Sequence, residues 1–119
     1  MQTSTEVTNY LLAKPGAYVD YPFGPQVRVF KVAEKVFALF DPDQNPLRIN
    51  LKCEPMQSLA LRDLFDAIQP GYHMNKKHWN TITLDGSVPR GELMRLFDLS
   101  FELVVKGLPK ARRIALRAD

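Results

Sequence analysis

The clearest pattern in the chain is an alternation, in which Leu47, Ile49, Leu51 and Cys53 interleave with Arg48, Asn50 and Lys52. A period of two describes a strand with one buried and one wet face. Val27–Val32 and Val36–Phe40 are β-branched or aromatic runs separated by Ala33-Glu34-Lys35, which predicts a hairpin ahead of that strand. Asp41-Pro42-Asp43-Gln44-Asn45-Pro46 supplies the turn between them. Trp79–Leu84 predicts a fourth strand, followed by a turn at Asp85-Gly86.

Helical spacing occupies the rest. Thr3, Ser4 and Thr5 offer N-caps for a first helix with Val7, Tyr10 and Leu11 at i, i+3 and i+4, ended by Lys14-Pro15-Gly16. Residues 15–25 carry three prolines and two glycines and predict an irregular connection. Glu54-Pro55 opens a helix with Leu61, Leu64, Phe65 and Ile68 on one stripe, stopped by Pro70-Gly71. Pro89 starts the longest helix, with Leu93, Leu96, Phe97, Ser100 and Val104 on its apolar side. A last short helix is expected over Lys110–Leu116. Strands joined by short turns and alternating with amphipathic helices predict an α+β fold: two layers, an antiparallel sheet with helices packed on one face. The uncovered face would carry Arg48, Asn50 and Lys52, joined by Trp79, Thr81 and Thr83 if Ile82 and Leu84 point inward.

Composition bounds this picture without changing it. With 119 residues, 45% hydrophobic and 24% charged, the chain suits one domain over residues 1–119. No apolar run approaches the roughly 18–20 residues that span a bilayer. The opening Met1-Gln2-Thr3-Ser4-Thr5-Glu6 lacks a signal-peptide pattern, and Cys53 is the single cysteine, so a cytoplasmic protein without an intramolecular disulfide is expected. Charge is uneven. Residues 1–105 hold eleven Lys/Arg against twelve Asp/Glu, whereas Lys106, Lys110, Arg112, Arg113 and Arg117 face only Asp119 in the tail. Such an end can attract an acidic partner or simply complement a helix dipole.

Pro70–Trp79 gathers both histidines, two lysines, a tyrosine and the tryptophan within ten residues. Metal binding by His73 and His78 fits poorly, since their spacing is not the helical i, i+4 pair and no acidic residue lies among them. Catalysis has little support either: no nucleophile elbow, phosphate-binding loop or dinucleotide fingerprint is present, and His73 and His78 near Asp85 make a weak constellation. Neither a metal nor a cofactor is expected, and the chain reads as a non-enzyme. Binding remains, with lysines for phosphates and an aromatic for stacking or anchoring a partner. Trp79 reads equally as a packing residue that fixes register.

Phe30-Lys31-Val32, Lys35-Val36-Phe37-Ala38-Leu39, Asn50-Leu51-Lys52-Cys53-Glu54-Pro55, Pro70 through Ile82 and Leu84-Asp85-Gly86 together resemble the MmcQ/YjbR family, from about Leu11 to Leu108. The resemblance implies a small two-layer α+β fold similar to bacterial frataxin and to type III secretion chaperones. It also implies DNA binding, a label that members commonly carry, with the family's central motif falling on His73, Asn75, Lys76, Lys77, His78 and Trp79. Iron chemistry is not implied, because the first helix has only Glu6 as an acidic residue. Members often have glycines where this chain has Ala33-Glu34, so a different turn type is expected there.

The sequence therefore points to non-sequence-specific DNA binding through His73, Asn75, Lys76, Lys77, His78, Trp79, Arg48, Lys52 and the tail's Lys110, Arg112 and Arg113. Helix-turn-helix, zinc-finger and RRM patterns are missing. The alternative is a protein-interaction module using the exposed sheet face around Trp79, with Arg48 and Lys52 as its rim.

Overall fold

The computed structural model describes residues 3–117, the last of them by backbone alone. Met1-Gln2 of the signal-peptide reading and Asp119 of the tail's charge balance lie outside the described residues, as does the Arg117 side chain. Elements follow in the order α1 (Ser4–Leu12), β1 (Tyr18–Asp20), β2 (Arg28–Val32), β3 (Lys35–Phe40), β4 (Arg48–Lys52), α2 (Pro55–Leu64), β5 (Ile68–Pro70), β6 (Trp79–Thr83), α3 (Arg90–Lys106) and α4 (Lys110–Arg117). The strands form a single antiparallel sheet in the order β1-β2-β3-β4-β6-β5. Among the described residues no helix is long and apolar enough to cross a membrane.

The α+β expectation holds, and two strands are added to it. Tyr18–Asp20 pairs with β2 inside the stretch read as irregular, and a Lys31–Asp20 ion pair (2.8 Å) ties the two strands together. The second helix is shorter than its apolar stripe suggests. It ends at Leu64, Phe65 turns to extended geometry, and Ile68 pairs with Ile82 as part of β5. Leu64 is left exposed while Ala67 and Ile68 are buried. Helical spacing over Leu61–Ile68 thus arises from a helix end and a strand start that happen to share one period.

The hairpin also departs from expectation. Val32 pairs with Lys35, so the loop is Ala33-Glu34 alone, and both residues are left-handed (φ 47° and 70°). This is the two-residue type I′ turn that favours Asn-Gly. The turn geometry suited to glycine is kept without glycine, at a cost of about 1–2 kcal/mol per residue. Ala33→Asn/Glu34→Gly is therefore expected to stabilise the protein by about 1–2 kcal/mol in all, a rise of several degrees in Tm. Thermal unfolding of the double variant checks this.

Helices cover one face. Val7 and Leu11 of α1, Leu61 of α2 and the stripe Leu93, Leu96, Phe97, Ser100, Phe101 and Val104 of α3 pack on Phe30, Ala38, Ile49, Leu51 and Ile82. Lys31 pairs with Val36 and Phe30 with Ala38, which leaves Phe37 as a bulge residue. The bulge lets neighbouring Phe37 and Ala38 both lie buried, with Phe37 meeting Phe101 edge-on at 5.2 Å. Tyr10 joins α1 to α3 by donating to Asp98 (2.7 Å), and burial with that carboxylate pushes its pKa up to about 12.

Candidate functional site

The face without helices takes its shape from three cross-strand rows. Arg48 lies opposite Thr83, Asn50 opposite Thr81 and Lys52 opposite Trp79, while Leu39 flanks Asn50 from β3. Two loops rise over this face, and between them lies a cavity of about 480 Å³. Its floor is Leu39, Arg48 and Asn50. Phe23 and Val27 from the β1–β2 connection form one wall, and Tyr72, His73 and Met74 form the other. Phe40, Asp41 and Gln44 close one end. A volume of this size suits a small organic ligand.

The wall after β5 is built by specific contacts. Gly71 N–H donates to Trp79 O (2.8 Å), and a Cβ at Gly71 would come within 2.7 Å of Trp79 Cβ. The Tyr72 N–H donates to Thr81 Oγ1 (2.9 Å), and the Thr81 hydroxyl in turn donates to Asn50 Oδ1. His73 is left-handed (φ 59°), an uncommon conformation for a side chain of that size, and its ring lies 4.0 Å from that of Tyr72. Arg62 reaches from α2 to hold the far side of the loop. Its Nε donates to the buried Asn80 Oδ1 (2.8 Å) and its Nη2 to the carbonyls of Lys76 and Trp79.

These contacts divide the residues that the sequence had grouped. Lys76 turns back to donate to Gly71 O (3.2 Å), and Asn75 accepts the Lys77 N–H (2.9 Å), so both stabilise the loop itself. Lys77 and His78 are exposed. Trp79 is half-buried beside Lys52, with its Cβ against Gly71. His73 and Arg48 instead belong to the cavity. The tail does not join them. Arg112 of α4 lies with Tyr18, Ala33 and Glu34, and Arg113 lies with Glu102 and Lys106. Four strand spacings of roughly 4.8 Å separate β1 from β6, so the tail and the Lys77 loop occupy opposite ends of the sheet. Lys110, Arg112 and Arg113 therefore form no continuous basic surface with Lys76, Lys77 and His78. His78 and Asp85 lie beyond opposite ends of β6, and Asp85 caps its own turn through Ser87, which holds its carboxyl below the usual range.

Arg48 is the cation of the cavity. Its guanidinium lies 5.6 Å from the Tyr72 ring centroid, and among the described residues no carboxylate pairs with it. The nearby acid, Asp41, accepts through Oδ1 from Gln26 Nε2 (2.6 Å) and from the Asp43 N–H (2.8 Å). Cys53 is half-buried, and burial pushes its thiol pKa up, which makes it a poor nucleophile at neutral pH. Among the described residues no group of three His, Cys, Asp or Glu is placed to hold a metal. Phe23 and Leu39 are site residues that motif reasoning passes over, whereas Tyr72 lies in the Pro70–Trp79 segment and Asn50 on the polar side of the β4 alternation.

Comparison with known proteins places the whole domain. A family model described as YjbR matches residues 12–103. The uncharacterized protein YbdF of Escherichia coli O157:H7 is 39% identical over 99 residues, covering 83% of this chain and 81% of its own. The uncharacterized protein YjbR of Escherichia coli strain K12 is 33% identical over 111 residues, covering 93% and 94%. A crystal structure of a Deinococcus radiodurans protein superposes with a TM-score of 0.92 at 41% identity, covering 98% of this chain and 88% of that one.

Proposed function

The chain belongs to the YjbR family, and we propose that it is a binding module whose ligand enters the cavity on the helix-free face of its sheet. The observation that supports this reading is the cavity's make-up. Leu39 and Val27 offer an apolar interior, Phe23 and Tyr72 aromatic walls, and Arg48 a cation with no protein partner among the described residues. Few polar groups converging on an apolar concavity is the usual composition of a ligand site. The reading is one of binding.

Nucleic-acid binding is the second reading, favoured by one observation. Lys77 and His78 are exposed next to Trp79, with Lys52 on the neighbouring strand. This corner could neutralise a few phosphates without reading sequence. A protein partner anchored on Trp79 has less support, because that residue is half-buried.

Amide chemical-shift mapping separates the readings. Titration with a panel of small organic acids, amines and neutral arenes is expected to shift Phe23, Leu39, Asn50, Tyr72 and His73. Single-stranded and duplex DNA serve as parallel arms. If DNA shifts Lys52, Lys77 and His78, weakens in salt and is lost in Lys52→Ala/Lys77→Ala, the second reading prevails. Lys76 is unsuited to that test, since its ammonium holds the loop.

A further inference from the structure

We infer that the ligand of this cavity is a small aromatic carboxylate, its ring between Phe23 and the Tyr72–His73 wall and its carboxylate on Arg48. This rests on the cavity being the binding site and names the chemistry it selects. The argument begins with charge. Arg48 is exposed at the cavity, unpaired with any acid among the described residues, and its guanidinium lies over the Tyr72 ring, 5.6 Å from the centroid. That is a cation–π contact, and it keeps the guanidinium on the cavity side where an anion can dock. Asp41, the acid at one end of the cavity, accepts from Gln26 and the Asp43 amide through Oδ1, and no ion pair joins it to Arg48 among the described residues.

Carboxylate is favoured over phosphate by the number of donors. One planar fork satisfies a carboxylate with two parallel hydrogen bonds. A phosphate dianion ordinarily draws several donors or a helix N-terminus, and the helices of this fold pack on the other face of the sheet. Asn50 adds one further donor. Its Oδ1 is taken by the Thr81 hydroxyl, and its amide nitrogen has no protein acceptor among the described residues. The remainder of the ligand must be apolar and flat. Phe23 is 70% exposed at one wall and Tyr72 is exposed at the other, so the ligand meets two accessible aromatic surfaces. Tyr72 and His73 stand opposite with their rings 4.0 Å apart. About 480 Å³ between them accommodates a bicyclic arene with room for water at the polar end.

The probes are 2-naphthoate, 2-naphthamide, 2-naphthylmethylammonium and 2-naphthyl phosphate, titrated into the intact protein by calorimetry and amide-shift mapping. We expect 2-naphthoate to bind with shifts at Tyr72, His73 and Asn50, and the amide and the ammonium to bind at least roughly tenfold more weakly, the loss of one charge-assisted pair. Arg48→Gln, a substitution at an exposed side chain, should cost 2-naphthoate a similar factor while leaving the Tm and the affinity for 2-naphthamide unchanged. Phe23→Ala should weaken all four probes alike. Equal affinity for the amide and the acid, or no effect of Arg48→Gln, would sink the carboxylate while keeping the cavity as a site for neutral arenes. Tenfold preference for the phosphate would replace carboxylate by phosphate. Shifts confined to other surfaces, or none with any probe at millimolar concentration, would overturn both the inference and the reading beneath it.

Discussion

Gly71→Ala is expected to destabilise the protein by about 2–3 kcal/mol and to dissolve one wall of the cavity with it, because the added methyl meets a paired backbone. The new Cβ would stand 2.7 Å from Trp79 Cβ and 2.9 Å from Trp79 O, the same oxygen that accepts the Gly71 N–H. No side-chain rotamer relieves that contact. Either β6 moves away or the hydrogen bond breaks, and in both cases the segment from Tyr72 to His78 loses its anchor. Gly91→Ala is the internal control, since an added Cβ there meets nothing within 4 Å and α3 tolerates alanine well. Urea denaturation of the two variants should give a clear loss for the first and little change for the second. The amide shifts of Tyr72, His73 and Met74 should move in Gly71→Ala alone. Equal stability of the two would mean that the close approach at Trp79 is not as described.

That glycine also shows what could and could not be read in the sequence. Pro70-Gly71 was legible as a chain break, and the β4 alternation, the α3 stripe and the single-sided helical layer follow from periodicity alone. Short edge strands were not. Tyr18–Asp20 and Ile68–Pro70 are three residues each, too brief to show a period, and they exist because a neighbouring strand offers hydrogen bonds. The hairpin misled for the opposite reason. Ala33 and Glu34 dislike the left-handed region, yet the register of β2 on β3 fixes a two-residue turn and tertiary pairing overrides local preference. The candidate site was half visible. His73 and Arg48 stand out by type, and the loop hydrogen bonds of Lys76 and Asn75 are visible only in the fold. Arg62, Phe23 and Leu39 come from distant segments, and only the fold brings them to the same neighbourhood.

Ser100→Ala is expected to cost about 2–4 kcal/mol, a large effect for the loss of one oxygen atom, because two backbone groups lose their partner at once. The β3–β4 ladder pairs Ala38 with Leu51 and Leu39 with Asn50 and goes no further, since Phe37 is displaced by the bulge. Ser100, fully buried on α3, spans the gap. Its hydroxyl donates to Phe37 O and accepts the Lys52 N–H at 2.9 Å. Without it the Phe37 carbonyl and the Lys52 amide both lose their hydrogen-bond partner. The consequence reaches the other side of the sheet. Lys52, Asn50 and Arg48 lie on one strand, so a loosened Lys52 end weakens the register that sets Asn50 against Thr81 beneath the cavity. Hydrogen exchange should therefore speed up at Lys52 and Cys53 first, and at Asn50 and Thr81 next, in a protein that remains folded. Ser100→Cys keeps a weak donor and acceptor of similar size and should lose less than Ser100→Ala. If the alanine variant is no less stable than the cysteine one, the bridge contributes shape rather than hydrogen bonding, and α3 holds β4 in place by packing alone.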